Sequence, residues 1–356
     1  DRRGGGRVSI FRANGDVFAL KRRSKARAEI LLLALTIVFI ALGLLAAPFA
    51  AEGQPAQTIH RLGVLFPGSP PDGPGTQAFL QTMRERGYVE GRNLIVERRY
   101  AGGKLERLPD LAAELVGLKV DIILASSAAI PAASRATRTI PIVMTFAVED
   151  PVEAGYARTL ARPGGNITGI TLLAPELGAK RLELMREVLP RLSLVGVLSW
   201  PGAGSAAQVA VVKRAAGSLG IRIRVLEIQE ASQYTAAFAT LKREGVGALL
   251  VLSSSVFLGD RRRIIELATQ HGLALMAPFR QFAEDGGLMA YGPNTTDLLG
   301  RRIPDFVERI FKGAAPGDLP VEQPTHHDLV INGRTAKALR LKIPPSLLVR
   351  ADQVIE

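Results

Sequence analysis

The chain reads as an α/β protein of two doubly wound, parallel-sheet lobes joined by hinge crossovers. Three observations predict this: short β-rich runs alternate with helix-spaced runs from residue 61 onward, the alternation occurs as two comparable series, and about 300 residues remain once the N-terminal segment is set aside.

The first series places strands at Arg61 to Phe66, Asn93 to Glu97, Val120 to Ala125, Ile140 to Phe146 and Ile167 to Leu172. Helical spacing occupies Thr76 to Arg86, Leu105 to Leu118 and Ala128 to Thr137 between them. The helix Glu176 to Leu189, with Leu182, Met185, Val188 and Leu189 on one face, leads to the second series. Its strands are Leu194 to Leu198, Ile221 to Ile228, Ala248 to Leu252 and Ala274 to Ala277. Its helices are Ser205 to Ser218, Ala231 to Arg243 and Arg261 to His271. After Gly286-Gly287 the run Leu288 to Tyr291 reads as a return to the first sheet, followed by one helix, Thr296 to Lys312. The tail holds a strand at Leu329 to Asn332 and a helix at Thr335 to Leu339, with Pro344-Pro345 as a stop. The expected division is a basic extension (1–29), a leader (30–51), a linker (52–60), lobe 1 (61–172), lobe 2 (173–286) and a return to lobe 1 with the tail (287–356).

Ile30 to Ala51 is an uncharged run preceded by Lys21, Arg22, Arg23, Lys25 and Arg27. A positive segment, an apolar segment and small residues in that order form an export signal. Its 22 residues are also enough to span a bilayer, so retention as a membrane anchor stays open. Either way the remainder is extracytoplasmic, in the periplasm or its equivalent. The net charge of +12 is divided evenly, since residues 1–29 hold nine Lys/Arg against three acids. What is left is a mildly basic surface, which gives no footprint for a nucleic-acid partner. Zero cysteines exclude thiol catalysis, Cys-ligated zinc and a lipoprotein anchor. His326-His327-Asp328 is the one metal-like cluster, but neighbours on extended chain point to opposite faces, so no metal site is assigned.

Catalytic signatures are missing. Gly73-Pro74-Gly75-Thr76-Gln77-Ala78 matches a dinucleotide fingerprint in letters only, because Pro67 to Asp72 separate it from the strand that should lead directly into it. Gly102-Gly103-Lys104 lacks Walker spacing, and neither G-x-S-x-G nor H-E-x-x-H occurs. No cofactor is expected.

Polar and aromatic residues at strand carboxyl ends remain, and ligands of open α/β sheets bind outside those ends. Ser126 and Ser127, between a strand and the next helix, suit a carboxylate or serve as an N-cap. Glu149 and Asp150 stand where an ammonium could be met, or are solvated loop charges. Thr145, Phe146, Trp200, Ser253, Ser254, Phe279 and Tyr291 occupy similar ends and read as a stacking and hydrogen-bonding surface, or as packing of the loops between lobes.

Several ordered motifs resemble a known family: Gly87-Tyr88-Val89-Glu90-Gly91-Arg92-Asn93, Arg162-Pro163-Gly164-Gly165-Asn166-Ile167-Thr168-Gly169, Lys180-Arg181-Leu182-Glu183-Leu184, Gly287-Leu288-Met289-Ala290-Tyr291-Gly292 and Pro344-Pro345-Ser346-Leu347-Leu348. From about Arg61 to Glu356 the chain resembles the ABC-transporter substrate-binding proteins of the tryptophan/tyrosine uptake type. The resemblance implies a type I periplasmic-binding-protein fold that clamps a small solute, an aromatic or other amino acid, and delivers it to an inner-membrane ABC permease. A monomer without enzymatic activity is expected. The chain departs from the family pattern at Ser199-Trp200-Pro201-Gly202, where an Asn-Pro-Asn type turn is common, and at Ser253-Ser254-Ser255, where an Asp-Pro run is common. Both lie on the second lobe's ligand-facing edge, so the solute is left open. The alternatives are a membrane-tethered sensor ectodomain and an exported α/β enzyme using the acidic pairs. A DNA-binding repressor is disfavoured, since no helix-turn-helix pattern precedes the core.

Overall fold

A computed structural model describes residues 32–38, 58–68, 70, 74–172, 175–202 and 204–356. The basic extension, most of the leader and the linker up to Gln57 lie outside these residues. The chain divides between Gln57 and Thr58 into two units. In the first, residues 32–38 are helical, and among the described residues no helix is long and apolar enough to cross a membrane.

The second unit carries both predicted series. Strands β1 (His60–Phe66), β2 (Leu94–Tyr100), β3 (Ile122–Ser126), β4 (Ile142–Ala147) and β5 (Ile167–Thr171) form a parallel sheet in the order β2-β1-β3-β4-β5. Side chains alternate across a strand, so its apolar runs feed two cores. Ile122 and Leu124 point into one core with Leu62, Phe79, Met83, Phe306 and Val307, beneath the helices Pro74–Glu85 and Ile303–Phe311. Ile123 and Ala125 point into the other with Leu65, Leu111, Leu115 and Ile130, beneath Leu108–Gly117 and Ala129–Ala136.

The second sheet holds β6 (Leu194–Ser199), β7 (Arg222–Glu227), β8 (Ala248–Val251), β9 (Ala274–Ala277), β10 (Met289–Gly292), β11 (Asp328–Asn332) and β12 (Gln353–Ile355) in the order β12-β11-β10-β9-β8-β6-β7. Every pairing is parallel except β10 with β11. Leu249 and Val251 face the core under helices Tyr234–Arg243 and Arg261–Gln270, whereas Ala248 and Leu250 face the core under Pro175–Val188 and Ser205–Ser218.

Two expectations are corrected here. The run Leu288 to Tyr291 does not return to the first sheet: Met289 and Ala290 pair with Met276 and Ala277 of the second. The cause is the short helix Arg280–Glu284 and the tight turn after it. A Cβ on Gly287 would lie 2.7 Å from the Phe282 carbonyl oxygen, so glycine lets the chain fold straight back onto the neighbouring strand. The single helix expected at Thr296 to Lys312 is a turn Thr295–Asp297, a π-helical segment Leu298–Arg302 and an α-helix Ile303–Phe311. Pro304 explains the break, because it offers no N–H to the turn before it and fits only the first turn of a helix. This last helix is the element that returns to the first lobe. The chain thus passes between the sheets after Thr171, between Gly292 and Ile303, and between Glu322 and Asp328; on the third passage the Glu322 carbonyl accepts from the Thr171 N–H at 2.9 Å.

Candidate functional site

The carboxyl ends of the two sheets meet at a cavity of about 110 Å³. From the first lobe come Phe66 at the end of β1, Phe79 and Leu80 on the first helix, Tyr100, and the β3 and β4 ends Ser126, Ser127, Thr145 and Phe146; from the second come Ser255, Leu258 and Phe279, with Leu299 on the passage between. The walls are mainly apolar and rich in aromatic rings.

Local backbone irregularity aims these side chains. The β3–β4 register shifts between Ala125 and Ser126, and the β4–β5 register shifts between Met144 and Ala147. Such bulges re-aim side chains at the end of a ladder. Ser127 follows in a left-handed conformation, φ 44°, which is strained for any residue with a Cβ. Its N–H donates to the Phe146 carbonyl at 3.0 Å, which fixes the turn, and the helix Ala129–Ala136 then starts with its N-terminal N–H groups beside the two serines.

A smaller recess of about 20 Å³ is lined by Ser127, Ala128, Trp200, Gln208 and Ser253 to Ser255. Gln208 holds it in shape: its Nε2 donates to the Ser253 carbonyl at 3.2 Å and its Oε1 accepts from the Ser253 N–H at 2.9 Å. The Ser254 hydroxyl is used as a helix cap, accepting from the Val256 N–H at 3.2 Å. Trp200 stands edge-on to Phe257 with ring centroids 5.7 Å apart, and reaches across to Gly103 of the first lobe, where a Cβ would lie 3.6 Å from the indole. The Oγ atoms of Ser126, Ser253 and Ser255 and the indole Nε1 of Trp200 are all buried with no hydrogen-bond partner among the described residues. Buried polar atoms are almost always paired, so four orphans around one seam single it out as the candidate site.

The structure therefore brings together eight of the residues singled out from sequence: Ser126, Ser127, Thr145, Phe146 and Phe279 around the cavity, and Trp200, Ser253 and Ser254 around the recess. Glu149, Asp150 and Tyr291 line neither. Asp150 caps a turn, its Oδ1 accepting from the Val152 N–H at 2.7 Å. Glu149 is half-buried, and desolvation raises its carboxyl above the ordinary range, partly offset by the Tyr156 hydroxyl. Tyr291 packs on the core under helix Pro175–Val188, its ring 6.0 Å from that of His327 and its carbonyl accepting from the Nε of the buried Arg181 at 2.7 Å. The sequence reading omitted Phe66, Phe79, Tyr100, Leu299 and Gln208. Phe66 stands at a strand end and was open to the same positional argument; Phe79 and Gln208 sit on helices, where nothing in the spacing separates a cavity wall from a core contact. Arg98 also lines the cavity, and its two terminal nitrogens hold Glu90 at 2.6 and 2.8 Å, an ion pair that lowers the Glu90 carboxyl below its ordinary range.

The chain is similar to known proteins. Residues 75–355 match the family model for ABC transporter substrate binding proteins. The chain is 27% identical over 269 residues, 75% of its length and 76% of the relative's, to the tyrosine-binding protein of Clostridioides difficile strain R20291. Among solved structures, a conserved domain protein from Vibrio cholerae aligns with TM-score 0.75 and 27% identity over 83% of this chain and all of the other. An L-Trp complex of an ABC domain from Streptococcus pneumonia shares the fold with TM-score 0.75 at 22% identity, covering 84% and 100% of the two chains. With the family model covering most of its length and the cavity lying where two parallel sheets converge, the chain belongs to the ABC transporter substrate-binding protein family.

Proposed function

We propose that the cavity holds an aromatic amino acid for delivery to the permease, with its ring in the pocket and its carboxylate at Ser126 and Ser127. The observation that carries this reading is the set of orphan polar atoms, Ser126 Oγ above all, at the rim of an aromatic-lined space. The cavity is comparable with the roughly 150 Å³ space that admits a benzene ring. Phe66, Phe79, Phe146 and Phe279 offer ring faces and edges on which an aromatic side chain stacks. A carboxylate beside Ser126 accepts from the hydroxyl and from the N–H groups that open helix Ala129–Ala136, where the helix dipole favours negative charge. The tyrosine-binding relative and the L-Trp-bound neighbour support the same ligand class.

Ser253, Ser255 and Trp200 approach from the second lobe, so their free donors engage the ligand only when the lobes are together, which makes closure and binding one event. The protein works as a monomer, releases its ligand unchanged, and acts outside the cytoplasm after export directed by residues 30–51.

Thermal melting against L-Trp, L-Tyr, L-Phe, aliphatic amino acids and benzoate tests the assignment. A ligand at 100 times its Kd adds about 2.7 kcal/mol of stability. The aromatic amino acids are expected to give that shift and the aliphatic ones not; no response to any aromatic compound would sink the reading.

A further inference from the structure

The third passage between the sheets ends in His326-His327-Asp328, and the two imidazoles part company as expected from extended chain. His327 turns toward Tyr291, with ring centroids 6.0 Å apart. His326 turns the other way, its Nε2 lying 3.2 Å from Asp328 Oδ1 and 3.5 Å from Oδ1 of Asp352, the residue just before β12. One ligand-type atom from each of His326, Asp328 and Asp352 thus lies within 4.8 Å of the others.

Each carboxylate is held from behind by its other oxygen. Asp328 Oδ2 accepts from Arg280 Nη1 at 2.9 Å and from Asn294 Nδ2 at 3.1 Å. Asp352 Oδ2 accepts from the Leu329 N–H at 2.7 Å. This leaves both Oδ1 atoms facing the imidazole. The Asp328 side chain is only 10% exposed, and among the described residues its Oδ1 meets no donor other than His326, whose own side chain is 73% exposed. The cluster therefore has a buried, pre-aimed side and an open side, and the open side adjoins a groove lined by Asn294, Glu322, His326 and Asp328.

We propose that His326, Asp328 and Asp352 form a binding site for a divalent transition-metal ion of the zinc type. Zinc with bonds of about 2.0–2.1 Å in tetrahedral geometry places its ligand atoms roughly 3.4 Å apart, and the spacings of 3.2 and 3.5 Å around His326 Nε2 match that. An imidazole with two carboxylates suits zinc, nickel or copper, whereas calcium takes six to eight oxygens, which this cluster does not supply. Arg280 and Asn294 on Asp328 and the Leu329 N–H on Asp352 are the outer partners that orient metal ligands. Water completes the coordination on the exposed side. Occupancy would tie the second-lobe end of the passage to the C-terminal strand, independently of which solute the cavity holds.

The test is a calorimetric Zn²⁺ titration of the full, metal-stripped chain without a histidine tag, with Ca²⁺ and Mg²⁺ in parallel. One Zn²⁺ per chain is expected, with a rise in melting temperature that Ca²⁺ and Mg²⁺ do not produce. His326→Ala and Asp352→Asn should each weaken Zn²⁺ at least tenfold, and the second keeps a carbonyl for the Leu329 N–H, so the fold is retained. His271→Ala, on the helix Arg261–Gln270 end of the molecule, should change nothing. Absence of saturable Zn²⁺ binding, or full binding in either of the first two variants, overturns the site.

Discussion

Ser126 has a buried hydroxyl with nothing among the described residues to pair it, and a group left in that state costs about 1–3 kcal/mol. Two opposite effects follow from Ser126→Ala. The ligand-free protein should melt at the same or a higher temperature, because an orphan is removed. Affinity for a carboxylate ligand should fall by about tenfold to a hundredfold, since a hydrogen bond to a charged group contributes about 1.5–3 kcal/mol. Calorimetry that found the affinity unchanged would remove Ser126 from the site. Glu149 behaves differently. Burial raises its carboxyl pKa above 4.5, so the folded chain keeps that proton to a higher pH than the unfolded chain does. The ionised form therefore subtracts stability at neutral pH, and the loss is relieved as pH falls through the folded value toward 4.5. Glu149→Gln should raise the melting temperature at pH 7, with a gain that shrinks on acidification, and should leave ligand affinity alone. A lower melting temperature at pH 7 would mean that the Tyr156 contact outweighs the burial cost.

At the level of elements, the strands were readable because parallel strands covered on both faces are short, continuously apolar and β-branched, as in Ile122-Ile123-Leu124. Their carboxyl ends were readable for the same reason, and this is why Ser126, Ser127, Thr145, Phe146, Trp200, Ser253, Ser254 and Phe279 could be placed at the carboxyl edges of the sheets from sequence. Partner choice was not readable. Met289–Gly292 has the composition of a strand for either sheet, and what assigns it is the close approach of Gly287 to the Phe282 carbonyl. Gly287→Ala should therefore destabilise by about 1–3 kcal/mol, the scale of forced overpacking, as read by urea denaturation. Stability equal to the parent would show that the turn relaxes and that the glycine does not decide the topology. The interrupted segment 295–311 is similar: a helix was legible there, and Pro304 decided where the α-helix could begin.

The whole molecule has one tryptophan, and it stands at the seam between the lobes. Trp200 packs edge-on against Phe257 of its own lobe and reaches toward Gly103 of the other, and its Nε1 is shielded from water. Separation of the lobes would wet the indole, whereas ligand-driven closure keeps it dry. Titration with an aromatic ligand should therefore change the intrinsic fluorescence, with a shift to shorter wavelength on binding and saturation at the calorimetric Kd. Fluorescence that ignores a ligand seen to bind by calorimetry would mean that the lobes stay together throughout the cycle.

The order of short apolar strands and amphipathic helices, doubled along the chain, was enough to determine an α/β architecture with two series, since local burial patterns follow from periods of 2 and 3.6 residues alone. Which strands became neighbours, which serine caps a helix and which have no partner among the described residues, and the meeting of His326 with Asp352 were decided only by tertiary structure. Those outcomes depend on contacts between residues far apart in the chain, where one close glycine or one proline turns the backbone toward a different partner.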